Sequence, residues 1–173
     1  MSSDSEIFSL AESAEKDKDY KKAEEYYLKI LEKDPQNPDV NYKLAETYHN
    51  LANYNVAMSY AIKSMKDNKS VKSIDILGSC LLEVGDVEKA IMCCKQSIEI
   101  DSECYRSYYV LGRALALLGN YMESESNLLV AQRLAPDNKA VVESLRGLYQ
   151  NNLKNYSKAA ILTDKLKEMA FEK

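Results

Sequence analysis

Apolar residues recur along this chain three and four positions apart, the period of amphipathic helices, in blocks closed by short polar turns. The blocks DYKKAEEYYLKILEKDP from Asp19, NYNVAMSYAIKSMKDN from Asn53, DVEKAIMCCKQSIEIDS from Asp86 and NYMESESNLLVAQRLAP from Asn120 open alike. Each has a polar residue, then Tyr or Val, then a small residue three places on. Those small residues, Ala23, Ala57, Ala90 and Ser124, stand 34, 33 and 34 apart, and NYSKAAILTDKLKEM from Asn155 adds Ala159 after 35 more. Upstream of each block runs a second helical pattern. Its small residues, Ala11, Ala45, Gly78 and Gly112, are spaced 34, 33 and 34, with Leu10, Leu44, Leu77 and Leu111 one place before them. The chain therefore reads as repeats of two amphipathic helices joined by a tight turn. Pro35 and Pro136 close the second helices of repeats one and four.

Glycine within a helix costs about 1 kcal/mol relative to alanine, so Gly112 in YRSYYVLGRALALLGNY needs a reason. The repeat register supplies it: Gly112 and Gly78 mark where the two helices of a repeat pack closest. Gly85 and Gly119 follow first helices and suit left-handed caps. Neither GxxxxGK[ST] nor GxGxxG is present to favour a phosphate loop.

The repeat resembles the tetratricopeptide repeat, a helix-turn-helix unit of about 34 residues with the pattern W-x2-L-G-x2-Y, then A, F and P. Repeat four matches with Tyr108, Leu111, Gly112 and Leu115, then Ser124, Leu128, Ala131 and Pro136. Repeat one matches with Ile7, Leu10, Ala11 and Ala14, then Ala23, Tyr27, Ile30 and Pro35. Repeats two and three carry Lys69 and Ser102 in place of the proline. The resemblance covers nearly the whole chain and implies an all-α fold, a right-handed α-solenoid with a C-terminal capping helix. It would form one domain over 1–173, with repeats at about 4–37, 38–70, 71–104, 105–138 and an irregular fifth at 139–173. In that fifth repeat Val142, Leu145 and Tyr149 make the apolar stripe. Gly147 is then a coincidence of spacing, and the extra residue belongs to a turn at 151–154. Leu162, Leu166 and Met169 form a stripe that needs a cover.

Composition narrows the class. The 173 residues are 46% hydrophobic and 29% charged, with five Gly and three Pro, which suits a helical domain with one sizeable core. A net charge of −4 disfavours a nucleic-acid partner held by phosphate contacts. No apolar run approaches the ~20 residues that span a bilayer, so membrane insertion is not expected. The start, MSSDSEIFSL, lacks the layout of a secretory signal. Four cysteines without a disulfide pattern point to a reducing, intracellular setting such as the cytoplasmic one.

Catalytic chemistry finds no constellation. His49 has Glu46 one turn earlier but no nucleophile or orienting group at matching spacing, and reads as a polar groove residue. The pair Cys93-Cys94 lacks the gap and second ligand pair of a zinc site, and Cys94 takes the buried position held by Tyr27, Ala61 and Leu128 in other repeats. Tyr20, Tyr54, Tyr121 and Tyr156 recur at one repeat position as scaffold. No enzyme activity, metal or cofactor is expected.

The resemblance implies that first helices line a concave groove that binds a peptide or extended segment of a partner protein. Helical spacing selects the side chains off the packing stripe. These are Ser5, Phe8, Glu12 and Glu15; Asp39, Tyr42, Glu46 and His49; Lys72, Asp75, Ser79 and Leu82; and Arg106, Tyr109, Arg113 and Ala116. The first two sets are acidic and aromatic, whereas Lys72, Arg106 and Arg113 are basic. Chaperone-binding members of the family grip a C-terminal carboxylate with Lys and Asn in one first helix. Here Phe8 and Glu12, or Tyr42 and Glu46, stand at those places, and only Lys72 agrees with that clamp. The expectation is a protein-interaction scaffold. Its alternatives are self-assembly into a homo-oligomer through the stripe of Leu162, Leu166 and Met169, a piece of a larger complex, or a cochaperone-like adaptor without the clamp.

Overall fold

The computed structural model describes residues 3–66 and 70–171, and Lys69, the substitute for proline in repeat two, lies outside them. Among the described residues there is no strand. Helices α1 (Asp4–Lys16), α2 (Tyr20–Leu31), α3 (Pro38–Asn50), α4 (Tyr54–Ser64) and α5 (Val71–Glu83) are followed by α6 (Val87–Ile100), α7 (Tyr105–Leu117), α8 (Tyr121–Leu134), α9 (Lys139–Gly147) and α10 (Tyr156–Phe171). A π-helical turn, Leu148–Asn152, extends α9. The architecture is an all-α helical-repeat solenoid. The chain divides into two compact units, Met1–Gly85 and Asp86–Lys173.

Polar residues start the helices by accepting from backbone N–H groups that have no partner within the helix. Asp19, Asn37, Asp86 and Asn138 each accept from the N–H three residues on, and Ser3 and Glu6 form a reciprocal capping box. The turns between the helices of a repeat share one left-handed residue. Gly119 and Gly85 supply it with φ of 81° and 88°, as their spacing predicts. Lys18, Ala52 and Lys154 hold the same place at φ between 54° and 59°, which L-residues adopt at a cost that glycine avoids.

In the N-terminal unit Ala11, Ala14, Ala23, Tyr27, Ile30, Val40 and Leu44 form one buried cluster, and Ala45, Ala57, Ala61, Ile76 and Cys80 another. Leu10 departs from the expected stripe. It is 47% exposed, while Leu44 at the same register position is fully buried. Leu44 joins the cluster formed with α1 and α2, and Leu10 is not part of it.

In the C-terminal unit Gly112 meets its sequence expectation. A Cβ there would stand 2.7 Å from Leu128 Cγ and 3.2 Å from the Ser124 carbonyl oxygen. Ser124 itself donates to the Gly112 carbonyl at 2.7 Å, so α7 and α8 meet backbone to side chain. Gly147 has open space at its Cβ position and is no packing contact. Counting 34 residues from Leu111 and Gly112 leads to Leu145, fully buried, and to Arg146. Repeat five therefore carries arginine where the other repeats carry alanine or glycine. The extra residue is absorbed in the π-helical turn, where Leu153 N–H reaches back five residues to the Leu148 carbonyl at 3.0 Å, rather than in the turn at 151–154. The expected stripe of α10 is covered: Leu162 is buried, and Leu166 and Met169 pack on the cluster of Leu128, Val141, Val142, Leu145 and Tyr149. The large apolar side chains that α10 leaves exposed are Tyr156, Ile161 and Phe171 instead.

Consecutive repeats meet through two matched register positions. Ile30 with Val40, Ser64 with Ser73, Ser97 with Ser107 and Ala131 with Val141 are all buried, apolar against apolar or hydroxyl against hydroxyl. Ser64 donates to Ser73 and Ser107 to Ser97, at 2.7 and 2.8 Å. The second position complements the first. Tyr48 donates to Glu24, and Tyr149 to Glu125 at 2.7 Å, where the first pair is apolar. Each joint thus carries one polar pair or the other.

Two outcomes are expected. Ser64→Ala should cost about 1–2 kcal/mol by stranding the Ser73 hydroxyl, while Ser64→Ala with Ser73→Val, which copies the Ala131–Val141 joint, should recover most of that loss in urea unfolding. A double variant no better than the single would refute the pairing. Gly112→Ala should lower stability by about 1 kcal/mol, because the clash with Leu128 outweighs the gain in helix propensity; a rise in melting temperature would show that Leu128 yields freely.

Candidate functional site

The first helices of the N-terminal unit hold a charged centre that neither α1 nor α3 could make alone. Lys43 Nζ lies 3.2 Å from Glu15, 3.6 Å from Glu46 and 3.8 Å from Glu12. Glu15 also accepts from the Tyr27 hydroxyl at 3.1 Å and from Thr47 Oγ1 at 3.2 Å. One cation therefore holds three carboxylates, and the acidic character expected of Glu12 and Glu46 is partly spent inside the protein. Burial pulls the Lys43 pKa down, but the carboxylates, Glu15 foremost, overcome it and leave it raised. Burial, then the Glu15 charge, drives the Tyr27 hydroxyl far above the ordinary tyrosine range. Lys43 was invisible to the spacing rule because it sits one place past Tyr42. Its i, i+3 relation to Glu46 was the available signal.

Nearer the N-terminal ends of α1 and α3 a cavity of about 450 Å³ opens. Asp4, Ser5, Phe8 and Ser9 line it from α1 and Asp39, Val40, Tyr42 and Lys43 from α3, with Ile30, Asn37 and Lys72 completing it. Phe8 stands edge-on to Tyr27 with ring centroids 5.6 Å apart, which fixes its orientation. Phe8, Tyr42 and Lys72, expected on one face, do converge here. Glu12, Glu46, His49 and Asp75 do not line it.

His49 is bonded instead: its Nε2 lies 2.9 Å from Ser79 Oγ, and its ring stands edge-on to Tyr54 at 5.5 Å. Sequence spacing missed Ser79 as its partner because the two meet only through the α3–α5 contact. The pair is not arranged for acyl transfer, since Ser79 lies inside α5 and the surrounding backbone N–H groups serve the helix rather than an oxyanion. Asp75 is buried in the same helix. Burial, with Glu83 nearby, pushes the Cys80 thiol up to about 12, and burial raises Cys93 as well, so neither resembles an activated thiolate. Among the described residues no His, Cys, Asp and Glu cluster could hold a metal ion. No described helix is long and apolar enough to cross a membrane.

In the C-terminal unit Arg106, Tyr109 and Arg113 are all half-buried on α7. The Arg113 guanidinium lies over the Tyr109 ring at 5.6 Å, and that ring packs on the unit's core. Tyr109 is thus a support for Arg113 more than an open aromatic surface. A second, smaller cavity of about 210 Å³ lies among Arg113, Ala116, Leu117, Leu128, Ser144, Leu148 and Asn152.

Helix pairs in this register define a protein of the helical-repeat class. The fold is that of tetratricopeptide-repeat proteins. The family model described as "Tetratricopeptide repeat" matches residues 105–138, and the model of "Anaphase-promoting complex, cyclosome, subunit 3" matches residues 16–92. Comparison with curated proteins gives no match. Among solved structures the chain is similar to TTC0263, a thermophilic tetratricopeptide protein of Thermus thermophilus. The TM-score is 0.85 at 20% identity, covering 97% of this chain and 92% of that one. MamA matches with a TM-score of 0.72 at 21% identity over 95% and 94% of the two chains. YrrB, described as having an unusual peptide-binding site, matches at 0.63 and 18% over 94% and 84%. At these identities the likeness is one of fold.

The charged centre predicts an alkaline limit to stability. Above about pH 10 unfolded tyrosines lose their protons while Tyr27 and Tyr48 keep theirs, so the folded state binds more protons and stability must fall as pH rises. Lys43 acts in the same direction: its contribution is full below its ordinary pKa and is lost above it. Melting temperature measured from pH 9 to 11.5 should drop, and Tyr27→Phe should drop less steeply. Parallel curves would remove Tyr27 from the account.

Proposed function

We propose that this chain is a non-enzymatic scaffold that captures a segment of a partner protein on its first-helix faces, with the cavity between α1 and α3 as the main seat. The observation that carries this reading is the convergence of Phe8, Tyr42 and Lys72 on one cavity of about 450 Å³. That volume lies within the range of ligand-binding clefts. Two aromatic rings supply apolar contact at low entropic cost, and Asp39 and Lys72 at the rim supply opposite charges that set direction. The peptide-binding site in the printed description of YrrB, a protein of the same fold, is consistent with this use. A second reading, a subunit of a larger assembly, is favoured by the match of residues 16–92 to a subunit family of a multiprotein complex.

The test is affinity capture with mass spectrometry, followed by titration of the identified partner. Tyr42→Ser with Lys72→Glu should weaken binding at least about tenfold, or about 1.4 kcal/mol, without lowering the melting temperature. Unchanged affinity in that variant, with loss in Arg106→Glu/Arg113→Glu, would move the seat out of this cavity. Co-purification of a fixed set of several proteins, indifferent to both variants, would favour the assembly reading.

A further inference from the structure

Charge is divided unevenly between the two units of this chain. Residues 1–85 carry 15 Asp and Glu against 11 Lys and Arg, a net −4, whereas residues 86–173 carry 12 of each. The net charge of the whole protein therefore belongs to the unit that holds the cavity of Phe8 and Tyr42.

The imbalance is local as well. Lys43 lines the cavity and is shared by three carboxylates, Glu15 at 3.2 Å, Glu46 at 3.6 Å and Glu12 at 3.8 Å. Glu12 is the outermost of them: its side chain is 44% exposed and stands at the longest of the three distances. Asp4 is answered by Lys33 at 2.6 Å, while Asp39 lines the cavity from the exposed first turn of α3. The charged lining groups and their ion-pair partners together make five carboxylates and three ammonium groups, Lys72 included. Leaving Glu46 out still gives four against three. Lys72 belongs to α5 and Glu12 to α1, the two first helices on either side of α3, so a cation is repelled at one end and attracted at the other.

We infer that this cavity selects a basic segment: one apolar side chain enters beside Phe8, and a lysine or arginine two residues away is held on the α1 side at Glu12. This selectivity presupposes the cavity as the seat for a partner and adds that partner's charge. Phe8 and Glu12 are four residues apart on α1, a rise of about 6 Å. In an extended segment, side chains two residues apart share a face and stand about 7 Å from each other. One side chain can therefore fill the cavity while the next on that face meets the carboxylate. The opposite net charge of the unit speeds encounter and rejects acidic competitors.

The probes are acetylated, amidated AKALAKA and AEALAEA, whose charges lie two residues to either side of leucine, so the direction of binding is immaterial. They are titrated at millimolar concentration into the 15N-labelled full chain. AKALAKA should give saturable amide shifts at Phe8 and Glu12, and AEALAEA should bind at least about fivefold more weakly. AKASAKA, without the apolar anchor, should give no saturable shift at Phe8. Salt raised to about 0.3 M should remove most of the preference. Glu12→Gln with Asp39→Asn should bring the first two peptides within about twofold of each other. Equal or tighter binding of AEALAEA at Phe8 would overturn the basic preference and leave the seat intact. A preference for AKALAKA whose shifts avoid Phe8 and Glu12 would overturn it as attraction elsewhere on the unit. No shift at Phe8 with any peptide would remove the seat itself, and the selectivity with it.

Discussion

Everything in this molecule depends on how closely the two helices of a repeat can approach. At Gly112 the space for a single methyl group is already taken by Leu128 and the Ser124 carbonyl, and the Ser124 hydroxyl bonds back across the gap. At the α7–α8 contact, small residues on both helices are therefore a steric requirement, not a preference of composition. Once each pair is drawn together, its remaining apolar edge must be covered by the next pair. Successive helices then add to a core none of them could bury alone.

The joints between repeats are not interchangeable. Apolar Ile30–Val40 and Ala131–Val141 accompany the tyrosine–glutamate bonds, and the hydroxyl pairs Ser64–Ser73 and Ser97–Ser107 stand where those bonds are missing. A polar group buried opposite an apolar one loses its water without gaining a partner, so exchanging the partners of two different joints would leave hydroxyls unsatisfied. The arrangement favours one order of repeats over slipped or swapped ones.

Function follows from what the close contacts leave over. First helices spend one face on packing and keep another for polar and aromatic side chains. In the N-terminal unit much of that charge closes on itself around Lys43, and the open chemistry collects at the cavity of Phe8, Tyr42 and Lys72. In the C-terminal unit Arg146 and the π-helical turn break the repeat, and a small apolar cavity lies beside Arg113. Both places are concave.

The sequence by itself determined the period, the helix pairs, the tight positions and the left-handed glycine caps, because each depends on residues within one turn or one repeat. It also put Phe8, Tyr42 and Lys72 on a common face. Tertiary structure alone decided which charges meet. Glu15, Tyr27 and Lys43 come from three helices, and His49 meets Ser79 thirty residues away, so no local spacing could pair them. It also decided that Leu162 and Met169 are covered while Leu10 is not, since burial depends on which neighbour lies above a stripe rather than on the stripe. The fifth repeat shows the boundary between the two most directly. The added residue can be counted in the sequence, but whether a turn lengthens or a helix bulges is settled by the packing of Leu148 and Tyr149 into the core.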